Sequence, residues 1–152
     1  LNFMGSEFGQ LREWDERREQ DWNLLSYPKH SSFLRFIRDL NSLYLTRPAM
    51  YRDDLSEDGF RWLRCCPENG CVFAFERRCP QERLLFLFNL SSRQEPECIL
   101  EISGAEKLVP LLSTNWDIYG GDHSPISADI PLSSGRTVLS PAPFSGLCCQ
   151  IL

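Results

Sequence analysis

Histidine is scarce in this chain: His30 and His123 are the only two, and they stand far apart without ligand spacing. Seven cysteines are present, but no Cys-x-x-Cys occurs, so neither a zinc site nor any other metal or cofactor is expected. An excess of cations is missing as well. Lys and Arg total 16 against 21 Asp and Glu, and the basic residues are scattered, so no surface would draw in a phosphate backbone and nucleic acid is not an expected partner. Long apolar runs are also absent. The longest, residues 84–88, is far too short to cross a bilayer, and residues 1–10 show no basic, apolar and cleavage regions in order. These absences lead us to expect a cytoplasmic protein with no membrane partner.

The cysteine pattern argues against a disulfide framework. The number is odd, and Cys65–Cys66 and Cys148–Cys149 are sequence neighbours, which rarely bridge, so reduced thiols fit better. Most lie in apolar segments, where a thiol serves as a small buried hydrophobe. With 42% hydrophobic residues, 152 residues can bury one core and carry a small appendage.

Periodicity changes near residues 48–54. Residues 1–4 read as a short apolar strand ending at Gly5, followed by a polar, aromatic-rich loop over 7–30. From Ser31 the pattern is helical: Phe33, Phe36, Ile37, Leu40, Leu43 and Tyr44 share a stripe, Ser31 or Ser32 can cap the start, and Pro48 ends it. Beyond Asp54, short strands alternate with turn residues. Residues 60–65 and 71–77 flank Pro67-Glu68-Asn69-Gly70 as a hairpin would, and 83–90 is apolar on both faces, as in a central strand. Cys98, Leu100 and Ile102 alternate with Glu97, Ile99 and Glu101, and further strands are expected at 108–113, 128–132, 136–140 and 147–152. The predicted class is therefore mainly β, an antiparallel sandwich over 53–152.

Residues 1–52 pose a question of their own, because a parallel strand joined to a helix buries its faces only against neighbouring units. The economical reading is the last strand-loop-helix unit of a (β/α)8 barrel whose earlier units lie outside this sequence. The helix stripe would then stand uncovered and drive association or irregular packing on the β domain.

The segment Phe3-Met4-Gly5-Ser6-Glu7-Phe8-Gly9-Gln10, followed by Glu13-Trp14 and Asp21-Trp22, resembles the final barrel strand and loop of glycogen branching enzymes of the α-amylase superfamily. Arg38-Asp39-Leu40-Asn41-Ser42-Leu43-Tyr44 with Pro48-Ala49 is similar to their last barrel helix, and Gly59-Phe60-Arg61-Trp62 to the entry of their C-terminal β domain. Tyr119-Gly120-Gly121 and the closing strand follow in the family's order. Asp15 stands where the family usually carries Asn, and residues 16–19 are unusually charged.

The resemblance implies an enzyme that cleaves an α-1,4 linkage, holds the fragment covalently and passes it to a 6-hydroxyl. Such retaining chemistry needs two carboxyl groups about 5 Å apart. In the family these groups project from earlier barrel strands, so this chain alone is expected to be inactive, with no catalytic residue of its own. The implied partners are an α-glucan and the remainder of the catalytic barrel, which the β domain would stabilise. A stand-alone glucan-binding sandwich is the alternative, although it leaves residues 1–52 unexplained.

Candidate sugar contacts are Glu7, at the carboxyl end of the expected strand, and Trp14, Trp116 and Tyr119, whose flat rings suit the apolar faces of sugars. Each has a bland counterpart: Glu7 as a carboxylate bonded to loop backbone, the aromatics as local packing. Trp22 is expected to anchor its loop and Trp62 to lie in the core. Pairing Glu7 with Glu13, Asp15 or Asp21 as a complete hydrolase site is rejected for want of a scaffold.

Overall fold

The computed structural model describes residues 3–64, 71–125 and 128–152. The expected turn at 67–70, Cys65 and Cys66, and the first half of the expected opening strand lie outside the described residues.

Among the described residues eight strands form: β1 (Phe60–Arg64), β2 (Val72–Cys79), β3 (Glu82–Asn89), β4 (Cys98–Glu101), β5 (Lys107–Ser113), β6 (Ile130–Pro131), β7 (Arg136–Leu139) and β8 (Ser145–Ile151). Six of them make an antiparallel sheet in the order β1-β2-β3-β8-β5-β6, and β4 pairs with β7 in a second sheet. Each strand expected beyond Asp54 has a counterpart among the described residues. On β4, Cys98 and Leu100 are buried while Ile99 and Glu101 face out, because successive side chains of a strand point to opposite faces. Cys98, Leu100 and Ile102 meet Val72, Ala74, Leu85, Leu87, Cys149 and Ile151 of the large sheet in the inter-sheet core.

The large sheet is covered on its other face too. A second core joins Leu84, Phe86, Leu112 and Cys148 to Cys79 and Ala49, and Phe36, Leu40 and Leu43 of the helix α1 (Pro28–Thr46) pack onto it. This explains why residues 84–87 are all buried: β3 is central and has a layer on each side. The molecule is thus three layers deep, with helix, large sheet and small sheet in order.

Three details of the N-terminal region differ from expectation. The helix begins at Pro28, ahead of Ser31, with Tyr27 as a flanking residue that makes no side-chain cap. Proline suits this place because its missing N–H would have had no partner in the first turn, and its φ is already helical. Ser31 sits inside that turn, where its hydroxyl donates to the Pro28 carbonyl at 3.0 Å. The helix stripe, expected to be open, is largely covered: Ile37 is buried, Phe36 and Leu40 are half-buried, and Phe33 and Tyr44 stay exposed.

Phe3 and Met4 form no strand. A strand needs a neighbour for its N–H and C=O groups, and here the segment closes on itself, Ser6 N–H donating to Phe3 O and Phe8 N–H to Gly5 O. Gly5 and Gly9, both left-handed with φ of 94° and 69°, bracket the short turn Ser6–Phe8. Among the described residues no helix is long and apolar enough to cross a membrane.

Candidate functional site

The N-terminal loop is held by its own polar groups. Arg12 Nε donates to both carboxylate oxygens of Asp21 at 3.0 Å, and Gln10 Oε1 accepts the Asp21 N–H at 2.9 Å. Phe8 is fully buried, its carbonyl faces His30 Nδ1 of α1 at 2.8 Å, and Trp22 lies against its ring with centroids 5.2 Å apart. Trp22 therefore anchors the loop. Glu7 Oε2 accepts the Gly5 N–H at 3.0 Å, which is the backbone contact weighed above, and the other carboxylate oxygen has no partner among the hydrogen bonds described. Trp14 is 43% exposed and meets only the edge of Phe3, at 5.3 Å.

The second pair is differently placed. Trp116 is only 8% exposed and stacks on Tyr119 at 6.2 Å. The Tyr119 ring meets the edge of Phe36 at 5.3 Å, and its hydroxyl donates to Asp39 Oδ2 at 2.9 Å. Burial foremost, then the bond to Asp39, pushes the phenol up to about 12. Trp116 is buried by this packing, and Tyr119 is half-buried. The loop is tight: a Cβ on Gly121 would come within 2.3 Å of Asn115 backbone. The two loops share α1 as a support, Gly9 beside Phe33 and Gly120 beside Ser32, but among the described residues no hydrogen bond joins them.

Sequence reasoning missed a third aromatic group. Trp62, expected in the core, is 52% exposed, and Phe60 on the same face of β1 is 37% exposed. Their rings continue inward through Phe75, stacked on Phe60 at 5.1 Å and on Phe86 at 5.2 Å, so a ladder runs from the sheet edge to the core beneath α1. Alternation assigned Trp62 the correct face. What it could not show is that β1 is an edge strand lying beyond the cover of the helix, although its position as first strand after a connector was a usable hint. A surface concavity of about 920 Å³ is lined by turn residues such as Ser103, Ser133, Gly135 and Arg136, with no aromatic residue in its lining.

The buried carboxylates are committed to arginines. Glu76, fully buried, takes Arg83 Nε and Nη2 at 2.6 and 3.2 Å, and Glu82 takes Arg47 Nη1 at 3.0 Å. Among the described residues no three His, Cys, Asp or Glu gather as metal ligands would. Cys79, Cys98, Cys148 and Cys149 are buried free thiols, and burial pushes Cys148 and Cys149 up to about 12, far from a nucleophile's range. The arrangement offers packing surfaces and open aromatic faces.

Protein-family models give no match to the chain. Among curated proteins it is 42% identical over 124 residues to the 1,4-α-glucan branching enzyme GlgB of Rhizobium meliloti (strain 1021), covering 80% of this chain and 17% of the relative. It is 37% identical over 123 residues to the enzyme of the same name in Gloeobacter violaceus, with the same coverage of 80% and 17%. The chain thus spans about a sixth of the length of these relatives. Solved structures share the fold at lower identity. A maltotriose complex of AmyP aligns with TM-score 0.57 and 16% identity over 80% of this chain and 21% of that one. The trehalulose synthase MutB from Pseudomonas mesoacidophila MX-45 aligns with TM-score 0.53 and 16% identity, over 79% and 18%. A match over 80% of 152 residues is longer than region 53–152, so it takes in part of the helical region as well. Ordered identity along most of the chain places it, as a segment, in the 1,4-α-glucan branching enzyme family.

Proposed function

We propose that the chain is the C-terminal part of a glycogen-synthesising 1,4-α-glucan branching enzyme of the cytoplasm, in which residues 1–52 complete the catalytic barrel and 53–152 form a supporting β domain. The observation that carries this reading is the two-sidedness of the N-terminal region. One face of α1 is seated on the sandwich, while the loop ahead of it leaves Phe3, Met4, Leu11, Trp14 and Trp22 exposed. Apolar side chains gathered in this way suit an interface, and the remainder of the barrel is the partner of matching architecture. In the whole enzyme an α-1,4-glucan segment would be transferred to a 6-hydroxyl through carboxyl groups supplied from outside this chain, with Glu7 and Trp14 flanking the glucan groove. Branching should be undetectable with this chain alone, by iodine absorbance of amylose, and should appear when the preceding part of the polypeptide is supplied. Branching by the isolated chain, or full activity and stability of the parent lacking 53–152, would defeat the proposal.

A stand-alone glucan-binding module is favoured by one observation, the open aromatic face of Phe60 and Trp62. Mobility of the chain in glycogen-containing gels tests it. Retardation abolished by Trp62→Ala, and unaffected by Trp116→Ala and Tyr119→Ala, is the expected result for this face, and unretarded wild-type chain eliminates an autonomous module.

A further inference from the structure

The apolar contact between α1 and the large sheet leaves one thing unspecified. Phe36, Leu40 and Leu43 gain by leaving water wherever they meet Leu84, Phe86, Leu112 and Cys148, and this gain has no direction. A helix held by it alone can roll or slide while burying a similar area. Directional bonds must choose one register. The sandwich supplies them at two points.

The first is Tyr119, from the turn after β5, whose hydroxyl donates to Asp39 Oδ2 at 2.9 Å. Asp39 is itself steadied by Arg38 at 3.3 Å and Arg35 at 3.9 Å on the helix. The second is Glu82, the first residue of β3, whose side chain is only 9% exposed. Its Oε1 accepts Arg47 Nη1 at 3.0 Å and its Oε2 accepts the Ala49 N–H at 3.1 Å. Arg47 closes α1, and the same nitrogen reaches Gln150 Oε1 of β8 at 3.4 Å. Asp39 and Arg47 are about 12 Å apart along the helix axis at ~1.5 Å per residue. Two directional contacts at that separation oppose both sliding and rolling, as one cannot.

At its other end α1 holds the N-terminal loop, since His30 Nδ1 meets the carbonyl of Phe8 at 2.8 Å and Phe8 closes the turn that carries Glu7. We infer that Tyr119 and Glu82 are positioning residues: together they register α1 on the sandwich and, through α1, place the Ser6–Phe8 turn with Glu7. The β domain then sets the attitude of the N-terminal loop as well as supporting it. This does not depend on the glucan reading, because it concerns the position of the loop in the chain without ligand.

Hydrogen exchange read by mass spectrometry on the whole chain tests it with Tyr119→Phe, Glu82→Gln and the double variant, all nearly isosteric. Each single change should speed exchange of the amides in 30–47 and 6–9 roughly five- to tenfold, the value of one directional bond, while β3 and β8 keep wild-type protection. The double variant should exceed the product of the singles, because each contact restrains what the other leaves free. Arg47→Met removes the guanidinium half of the second contact, leaving Glu82 Oε2 on the Ala49 N–H, and should speed exchange in 30–47 in the same direction as Glu82→Gln. Wild-type exchange of 30–47 in the double variant overturns the inference. So does an equal acceleration in β3 and β8, which would make the two bonds ordinary contributors to global stability, or an Arg47→Met variant with undisturbed α1.

Discussion

Tyr119 couples the position of α1 to pH. Its phenol, pushed up to about 12 by burial and by Asp39, binds its proton more tightly in the folded chain than the ordinary phenol near 10 does unfolded. Its contribution to stability is therefore complete below about pH 10 and is lost as pH rises toward 12. Urea midpoints measured across that window should fall more steeply for wild type than for Tyr119→Phe, and parallel curves would contradict the assignment. The cysteines make a second residue-level test. Cys71 is exposed, whereas Cys148 and Cys149 are buried with thiols pushed up to about 12. Brief alkylation near pH 8, read by peptide mass, should label Cys71 and spare Cys148 and Cys149 until the chain is unfolded. The sequence already implied that these thiols are small buried hydrophobes, since they stand in apolar strands. It could not distinguish the exposures of Trp62 and Trp116, which depend on what lies across from each ring.

At the scale of the element, alternation was a sound guide because strand geometry allows little else. On β4, Leu100 points between the sheets and Ile99 away from them. Leu100→Ala should cost about 2–5 kcal/mol and Ile99→Ala under about 1 kcal/mol in urea unfolding, and similar costs at the two positions would mean that the register is wrong. The helix was legible from its apolar stripe, and its end from Pro48. Its start was displaced because serine and proline are both good opening residues and the choice fell to Pro28. The N-terminal strand failed for a different reason: residues 1–4 have a strand's composition, but strand backbone is stable only beside a partner, and Phe3 and Met4 have none here.

For the whole molecule, the exposed apolar residues of the N-terminal loop are the ones to test in solution. Phe3, Met4, Leu11, Trp14 and Trp22 are each exposed ahead of a well-seated helix. The isolated chain should self-associate with rising concentration, and Phe3→Ser with Trp14→Ser should shift its sedimentation toward the monomer while leaving its melting temperature nearly unchanged. A wild-type chain that stays monomeric throughout would show that this face needs no cover. Of the two outcomes expected for the α1 stripe, association or packing on the β domain, the structure shows packing, with Phe36, Leu40 and Leu43 against the large sheet.

Strand order along the chain, the alternation of each strand, the helix and the family likeness were determined by the sequence alone. They depend on local geometry and on side-chain identity, which a linear reading preserves. Tertiary structure decided that β1 is an edge with Trp62 open, that Trp116 is buried against a half-buried Tyr119, and that Glu82 meets Arg47. Burial and pairing are set by segments that meet across long stretches of chain, and no local pattern specifies which segment will cover which face.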